Sequence, residues 1–225
     1  MVFIMEFKEV VTTRKSIRAF LPQEIDKEIL KQIMEVGGKT PSWGNSQPWE
    51  VYVATGKILE RIKKRHAEYV DKGIKDYSDI PAAGYNCWPP HIVKNIIEWK
   101  ERRMDELAIV DEKEFFDKLY EQNRKLFDAP AVIYLCMDKM LSDWSLYDVG
   151  AFSMSIQLAA VEYGLQTISA YLLVGYPDIL REELGIPENT KIIFGLGIGY
   201  PDKDHLFNQQ HTSRKPLDEF LKIID

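Results

Sequence analysis

Three short segments carry side chains whose types and spacing could do chemistry. Arg14-Lys15-Ser16-Ile17-Arg18 places three cations and a hydroxyl within five residues, and Pro22 stops that run from continuing a helix. Guanidinium and hydroxyl donors clustered this way suit a phosphate, because arginine offers paired charge-assisted hydrogen bonds. Taken alone, the run also reads as a solvated loop. Pro41-Ser42-Trp43-Gly44-Asn45-Ser46-Gln47-Pro48-Trp49 gathers two tryptophans and two prolines around side chains that could bond the edge of a heterocycle. Asn45 and Gln47 each supply a donor and an acceptor, which suits an imide-like ring. The plainer reading is a rigid, proline-bounded connection with Trp43 and Trp49 as core anchors, and Trp49 belongs in the core on either reading. Ser213-Arg214-Lys215-Pro216-Leu217 adds two cations ahead of an amphipathic segment over 217–224, and basic residues preceding such a terminal helix are ordinarily surface charge.

Other chemistries find less support. Gly195-Leu-Gly-Ile-Gly199 has the wrong spacing for a dinucleotide-binding G-x-G-x-x-G, and Pro201 follows where a helix should open; a tight strand exit explains it better. Lys57, Arg61, Lys63, Lys64 and Arg65 share a helix with Ile58, Leu59 and Ile62 and read as a solvated face. His66, His91, His205 and His211 are scattered without metal-binding spacing, and Cys87 and Cys136 make neither a disulfide framework nor a metal site. No serine-centred elbow or cysteine–histidine pairing suggests covalent catalysis. The net charge of −6 and pI near 5.4 argue against a nucleic-acid partner. The longest apolar run, 129–137, is too short to cross a membrane, and the charged residues Glu6 and Lys8 interrupt any signal-peptide core. A cytoplasmic globular protein is expected.

These segments must be positioned by a core, and 225 residues with 45% apolar content can build one. No linker-like stretch or internal repeat divides the chain, so one domain is expected over 1–225. Short amphipathic character marks 5–13. Asp26 can cap a helix to about Val36 that Gly37-Gly38 closes. A strand is expected over 49–54 and a helix over 57–69, then an irregular stretch over 71–90 with three of the chain's prolines and two glycines. Two charged helices follow over 92–110 and 112–126. The continuous apolar run 131–137 reads as a strand buried on both faces. The helix over 148–163 is apolar or small around most of its circumference and needs cover on several sides, from the core or from another subunit. Further strands are expected over 167–174 and 192–196. Strands separated by helices indicate an α/β or α+β sandwich.

In order and spacing, Arg14-Lys-Ser-Ile-Arg-Ala-Phe20, Pro41-Ser-x-x-Asn-x-Gln-Pro-Trp49, Ala129-Pro-Ala-Val132, Gln157-Leu-Ala-Ala160 with Gly164-Leu165, Leu184-Gly-Ile-Pro187, Gly197-x-Gly-Tyr-Pro201 and Arg214-Lys-Pro-Leu217 resemble the nitroreductase family of flavin-dependent oxidoreductases. The resemblance fails over about 66–127. It implies an α+β fold with a central, mostly antiparallel sheet flanked by helices. It further implies FMN held without a covalent bond at the interface of an intertwined homodimer. Carried over by position, Arg14, Lys15 and Ser16 resemble the phosphate and ribityl contacts, and Arg214 with Lys215 the C-terminal phosphate contact. Arg18 resembles the cation beside the pyrimidine edge of the flavin, and Asn45 and Gln47 the amides of that neighbourhood. Pro41, Ser42 and Trp43 resemble the segment along the ring. Leu172, Leu173, Val174 and Gly175 resemble the strand end offering a backbone N–H to N5. Many members carry an acidic residue at the position of Val174, so no side-chain role is carried over there.

The implied activity is hydride transfer from NADH or NADPH through FMN to a nitroaromatic or quinone-like acceptor in ping-pong fashion. A cation such as Arg18 would stabilise the negative charge of reduced flavin. No catalytic side chain and no metal is needed. Alternatives are a specialised reaction of the same fold, such as reductive dehalogenation, or a non-enzymatic FMN-binding protein. The unmatched stretch 66–127 is expected to form a helical excursion or lid, with Trp43, Tyr85 and Trp88 as substrate contacts; the plainer reading is that Tyr85 and Trp88 pin a surface loop.

Overall fold

The computed structural model describes residues 5–82, 84 and 87–224. Four strands form one antiparallel sheet: β1 (Glu50–Thr55), β2 (Ala131–Asp138), β3 (Gln166–Ser169) and β4 (Thr190–Gly199), in the order β1-β2-β4-β3. Strand β2 lies inside, paired with β1 and β4, and Ala131 to Met137 are all buried. Side chains alternate across a strand, so β2 feeds two cores. Ala131, Ile133, Leu135 and Met137 pack on one face with helices α2 (Lys27–Gly37) and α6 (Trp144–Glu162). Val132, Tyr134 and Cys136 pack on the other with α3 (Gly56–Asp71) and α7 (Pro177–Leu184). The doubly buried strand expected from the apolar run is therefore present, in an α+β arrangement.

The local signals act as physical chemistry requires. Asp26 caps α2, its carboxylate accepting from Glu28 N at 2.9 Å. Gly185 closes α7 in the left-handed conformation at φ 69°, where glycine meets no Cβ penalty. Trp49 stacks on Phe152 of α6 at 4.8 Å, so it does belong to the core.

Several expectations are corrected. Strand β3 ends at Ser169, and 171–174 form a 3₁₀ turn instead of continuing it. There Leu173 crosses β4, close enough that a Cβ on Gly195 would lie 2.5 Å from the Leu173 Cβ. The glycine-rich run forms the last five residues of β4, where a Cβ on Gly199 would come 2.6 Å from Pro130 and 2.9 Å from Phe20. Its glycines are imposed by side chains packed across the strand. The expected helix over 217–224 is only a 3₁₀ turn at Leu217–Glu219, with Phe220 and Ile224 exposed.

Between α3 and β2 the chain makes an excursion. Helices α4 (Pro90–Glu106) and α5 (Glu112–Arg124) pack on each other through Trp99 and Phe115, the latter fully buried outside both cores. Arg124 clamps Asp71 of α3 with two hydrogen bonds of 2.7 Å. The chain re-enters the sheet through Leu126, Phe127 and Asp128, all at φ 50–60°. Such backbone is unfavourable for side chains with a Cβ, and burial of Leu126 and Phe127 offsets it.

Candidate active site

Residues 14–21 form an extended wall beside the edge strand β3. Helix α1 (Phe7–Thr13) ends as Arg14 N donates to Val10 O at 3.0 Å. Gln166 then accepts from Lys15 N at 2.8 Å and donates to Thr13 O at 3.2 Å. Ser16 bridges Thr167, and Ile17 N donates to Thr167 O at 2.9 Å. Asn208 of α8 (Leu206–Gln209) accepts from Arg18 N at 2.7 Å and donates to the carbonyls of Ala19 and Asp202, each at 2.7 Å. Ile17 and Phe20 are driven into the core. The wall's polar side chains are left to a cavity on the other side.

That cavity encloses about 690 Å³. Arg14, Lys15, Ser16 and Arg18 line it together with Arg214, from 200 residues further along, and with Arg103 and Trp99 of α4. No aspartate or glutamate is in its lining. Burial pushes the Arg14 pKa down, and Arg214 lowers it further by repulsion. Burial likewise lowers Arg18. For Arg103, burial and then Arg18 bring the value down to about 9. The repulsions between Arg14 and Arg214 and between Arg103 and Arg18, with no acidic residue in the lining, describe a cavity of concentrated positive charge, the electrostatics of an anion site. The Arg214 guanidinium is held by Thr212 Oγ1 at 2.9 Å and Ser213 O at 2.9 Å.

The other expected site residues are not brought into this cavity. Pro41, Ser42, Trp43, Asn45 and Gln47 lie on a turn pinned to α6, where Asp148 accepts from Trp43 N at 3.1 Å. Ser42 Oγ accepts from Gln47 N at 2.9 Å. Asn45 and Gln47 take the left-handed conformation at φ 57° and 46°, a strain that collects at functional sites. Trp43 is 79% exposed, so it is no core anchor. Of the next group, Leu173 and Val174 are core residues, and the Gly175 N–H donates to Leu172 O at 3.3 Å. Half-buried Leu172 is the side chain with surface to offer. Lys215 is exposed outside the cavity. Tyr85 lies outside the described residues. Trp88 lines a separate open groove with Pro90, Val93, Lys94, Ile97 and Glu101 on α4.

Sequence reasoning missed Gln166, Asn208 and Arg103. The two amides gave no signal, because each acts through a backbone partner distant in sequence. Arg103 stands next to Arg102 in a charged helix, and only the fold distinguishes them.

The Nitroreductase family model matches residues 11–200. The chain is 26% identical to a 4-nitrobenzoate reductase of Nocardioides sp. (strain LMS-CY), covering 98% of this chain and 91% of that protein. It is 29% identical to a chloronitrobenzene nitroreductase of Comamonas testosteroni, covering 96% of each. Among solved structures, the FMN and NADPH-dependent nitroreductase NfnB from Sphigopyxis sp. strain HMH superposes with a TM-score of 0.90 at 26% identity, over 98% of this chain and all of that one.

Proposed function

The chain belongs to the nitroreductase family, and from that premise we propose that it is an FMN-dependent oxidoreductase. It takes hydride from NADH or NADPH and delivers it to small nitroaromatic or quinone-like acceptors. One observation carries this reading: a cavity of ligand size with four arginines and no carboxylate in its lining. The residues fit FMN, since Arg14 and Arg214 converge from opposite ends of the chain onto one place that an anion would neutralise. When bound, the flavin supplies the redox chemistry, two electrons entering from the nucleotide and leaving to the acceptor.

The chain's own residues bind and orient. Arg14 and Arg214, with the Ser16 hydroxyl and Lys15 beside them, would hold the phosphate by charge-assisted hydrogen bonds. Arg18, on the same cavity wall, would face the pyrimidine edge. The dehalogenase and non-enzymatic alternatives are weaker, because the relatives matched over nearly their whole length are named as reductases.

The segments 41–47 and 172–175 are not in this cavity, which supports a site completed by a second copy of the chain. Helix α6 carries the matching feature: Trp144, Tyr147 and Met154 are exposed along one side, with open space at Gly150. Spaced at three and seven residues, they make an apolar stripe fit for a helix partner. Ser153, by contrast, turns inward to Gln157 at 3.3 Å. We assign an obligate homodimer, for which about 2,000 Å² or more is commonly buried. Excursion 66–127 is assigned as the acceptor-side lid of a single domain. No helix among the described residues is long and apolar enough to cross a membrane. The nicotinamide donor and the acidic charge balance suit work in the cytoplasm.

The purified protein is tested by its visible spectrum and by anaerobic reduction. It should carry or take up FMN, bleach on NADH or NADPH, and regain colour on 4-nitrobenzoate. A colourless protein that cannot be reconstituted with FMN sinks the reading.

A further inference from the structure

Arg103 is the cation of the cavity that belongs to neither cationic sequence segment. It comes from α4, in the excursion between α3 and β2. Its residue is 1% exposed, yet Nε and Nη2 have no hydrogen-bond partner. Trp99 and Phe207 cover the guanidinium, at 5.2 and 5.6 Å from its carbon to their ring centroids. Those faces stabilise a cation without satisfying its N–H groups. Glu106 acts on it only through space. Gln210 donates to the Arg103 carbonyl at 3.1 Å, while its own Oε1 is also buried without a partner. An unpaired buried charge is costly to a fold. A chain that keeps one in the wall of a ligand cavity, next to an orphaned acceptor, has left both for a ligand.

The cavity's arginines fall into two electrostatic pairs. Arg214 repels Arg14, and Arg18 repels Arg103. Arg14 and Arg214 suffice for a phosphate, so the second pair needs a second electron-rich group. We propose that Arg103 is a cofactor-binding residue, joining Arg18 at the pyrimidine edge of the flavin, with Gln210 supplying an acceptor at the same edge. That edge presents both carbonyl acceptors and an N–H donor, which matches orphaned guanidinium donors beside an orphaned amide oxygen. The assignment rests on the FMN reading and adds to it. The excursion then does more than cover the acceptor: one helix reaches the flavin with Arg103 and faces the Trp88 groove with Val93, Ile97 and Glu101.

Arg103→Met and Arg103→Lys test this in the apoprotein and the FMN-loaded protein, by titration with FMN and with riboflavin and by potentiometry. Arg103→Met should weaken FMN and riboflavin alike by about tenfold to a hundredfold, with Arg103→Lys recovering part of the loss. Reduced flavin should lose roughly tenfold more than oxidised flavin, a fall of about 30 mV in midpoint potential for a two-electron couple. The Arg103→Met apoprotein should melt no lower than wild type, because an unpaired charge has been removed. Wild-type affinities and potential in Arg103→Met overturn the proposal, as does an apoprotein that melts lower while binding flavin normally. Loss of FMN affinity with riboflavin unchanged moves Arg103 to the phosphate and overturns the pyrimidine assignment. If wild-type apoprotein binds neither flavin, the FMN reading itself has failed.

Discussion

The sheet and the cation cavity share a boundary, since the wall 14–21 has Ile17 and Phe20 in the core and Arg14 and Arg18 in the cavity. They are nonetheless governed by different quantities. In the sheet, space decides: β4 carries glycine wherever Leu173, Ile168, Pro130 or Phe20 crosses it. In the cavity, charge decides: four arginines and a lysine line it without a carboxylate. A substitution in the sheet should therefore cost the fold. One in the cavity should cost the ligand and spare the empty protein.

The largest expected effect is in the sheet. Gly199→Ala would place a Cβ 2.6 Å from the Pro130 ring and 2.9 Å from Phe20, neither of which can move far. The loss should be about 3 kcal/mol, at the upper end for overpacking, or roughly 6–12 °C in melting temperature. An unchanged melt would break the claim that space rules there.

His66 of α3 tests charge on the sheet side. It is buried with Nε2 unpartnered, and burial lowers its pKa to about 4, opposed weakly by the Asn123 backbone. In the unfolded chain it titrates near 6.5, so the unfolded state takes the proton first. The stability from keeping His66 neutral is complete above pH 6.5 and is lost as pH falls toward 4, by about 3 kcal/mol. Denaturant midpoints across that window should fall for wild type and flatten in His66→Leu. Parallel slopes would refute the assignment.

In the cavity, Arg14→Ala and Arg214→Ala should each weaken FMN by about tenfold to a hundredfold, the loss of one charge-assisted hydrogen bond or about 1.5–3 kcal/mol. Apoprotein melting should not fall. A variant that lowers the apoprotein melt while keeping FMN affinity would erase the contrast between the two regions. The smallest effect is expected at Trp88→Ala, where the apolar area offered to an aromatic acceptor is reduced. KM for the acceptor should rise severalfold while flavin reduction by NAD(P)H is unaffected; equal losses in both half-reactions would count against a lid.

What the sequence disclosed follows the same division. Asp26 as a cap, the buried run 131–137 and the apolar helix around 148–163 are local signals and were legible. The strand over 167–174 was not, because Thr-Ile-Ser-Ala-Tyr-Leu-Leu-Val has strand composition throughout, and only Leu173 packed against Gly195 turns it. The terminal helix over 217–224 had the right pattern but no surface in its own chain to cover it. In the cavity, Arg14, Ser16, Arg18 and Arg214 could be picked out because they stand in short cationic runs. Arg103 could not, for its burial depends on Trp99 and Phe207 meeting across more than a hundred residues.

The joining of Arg14 to Arg214 also has a consequence in time. Synthesis proceeds at about 5–20 residues per second, so the first wall of the cavity leaves the ribosome some 10–40 seconds before the residue that closes it. Asn208, which fastens Arg18 and Ala19, is nearly as late. Strands β1 and β2 can pair during that interval, but β4, which pairs both β2 and β3, ends only at Gly199, and the phosphate site has no second side until the chain is almost complete. The nascent chain must therefore wait, with one strand pair early and both the complete sheet and the cofactor late.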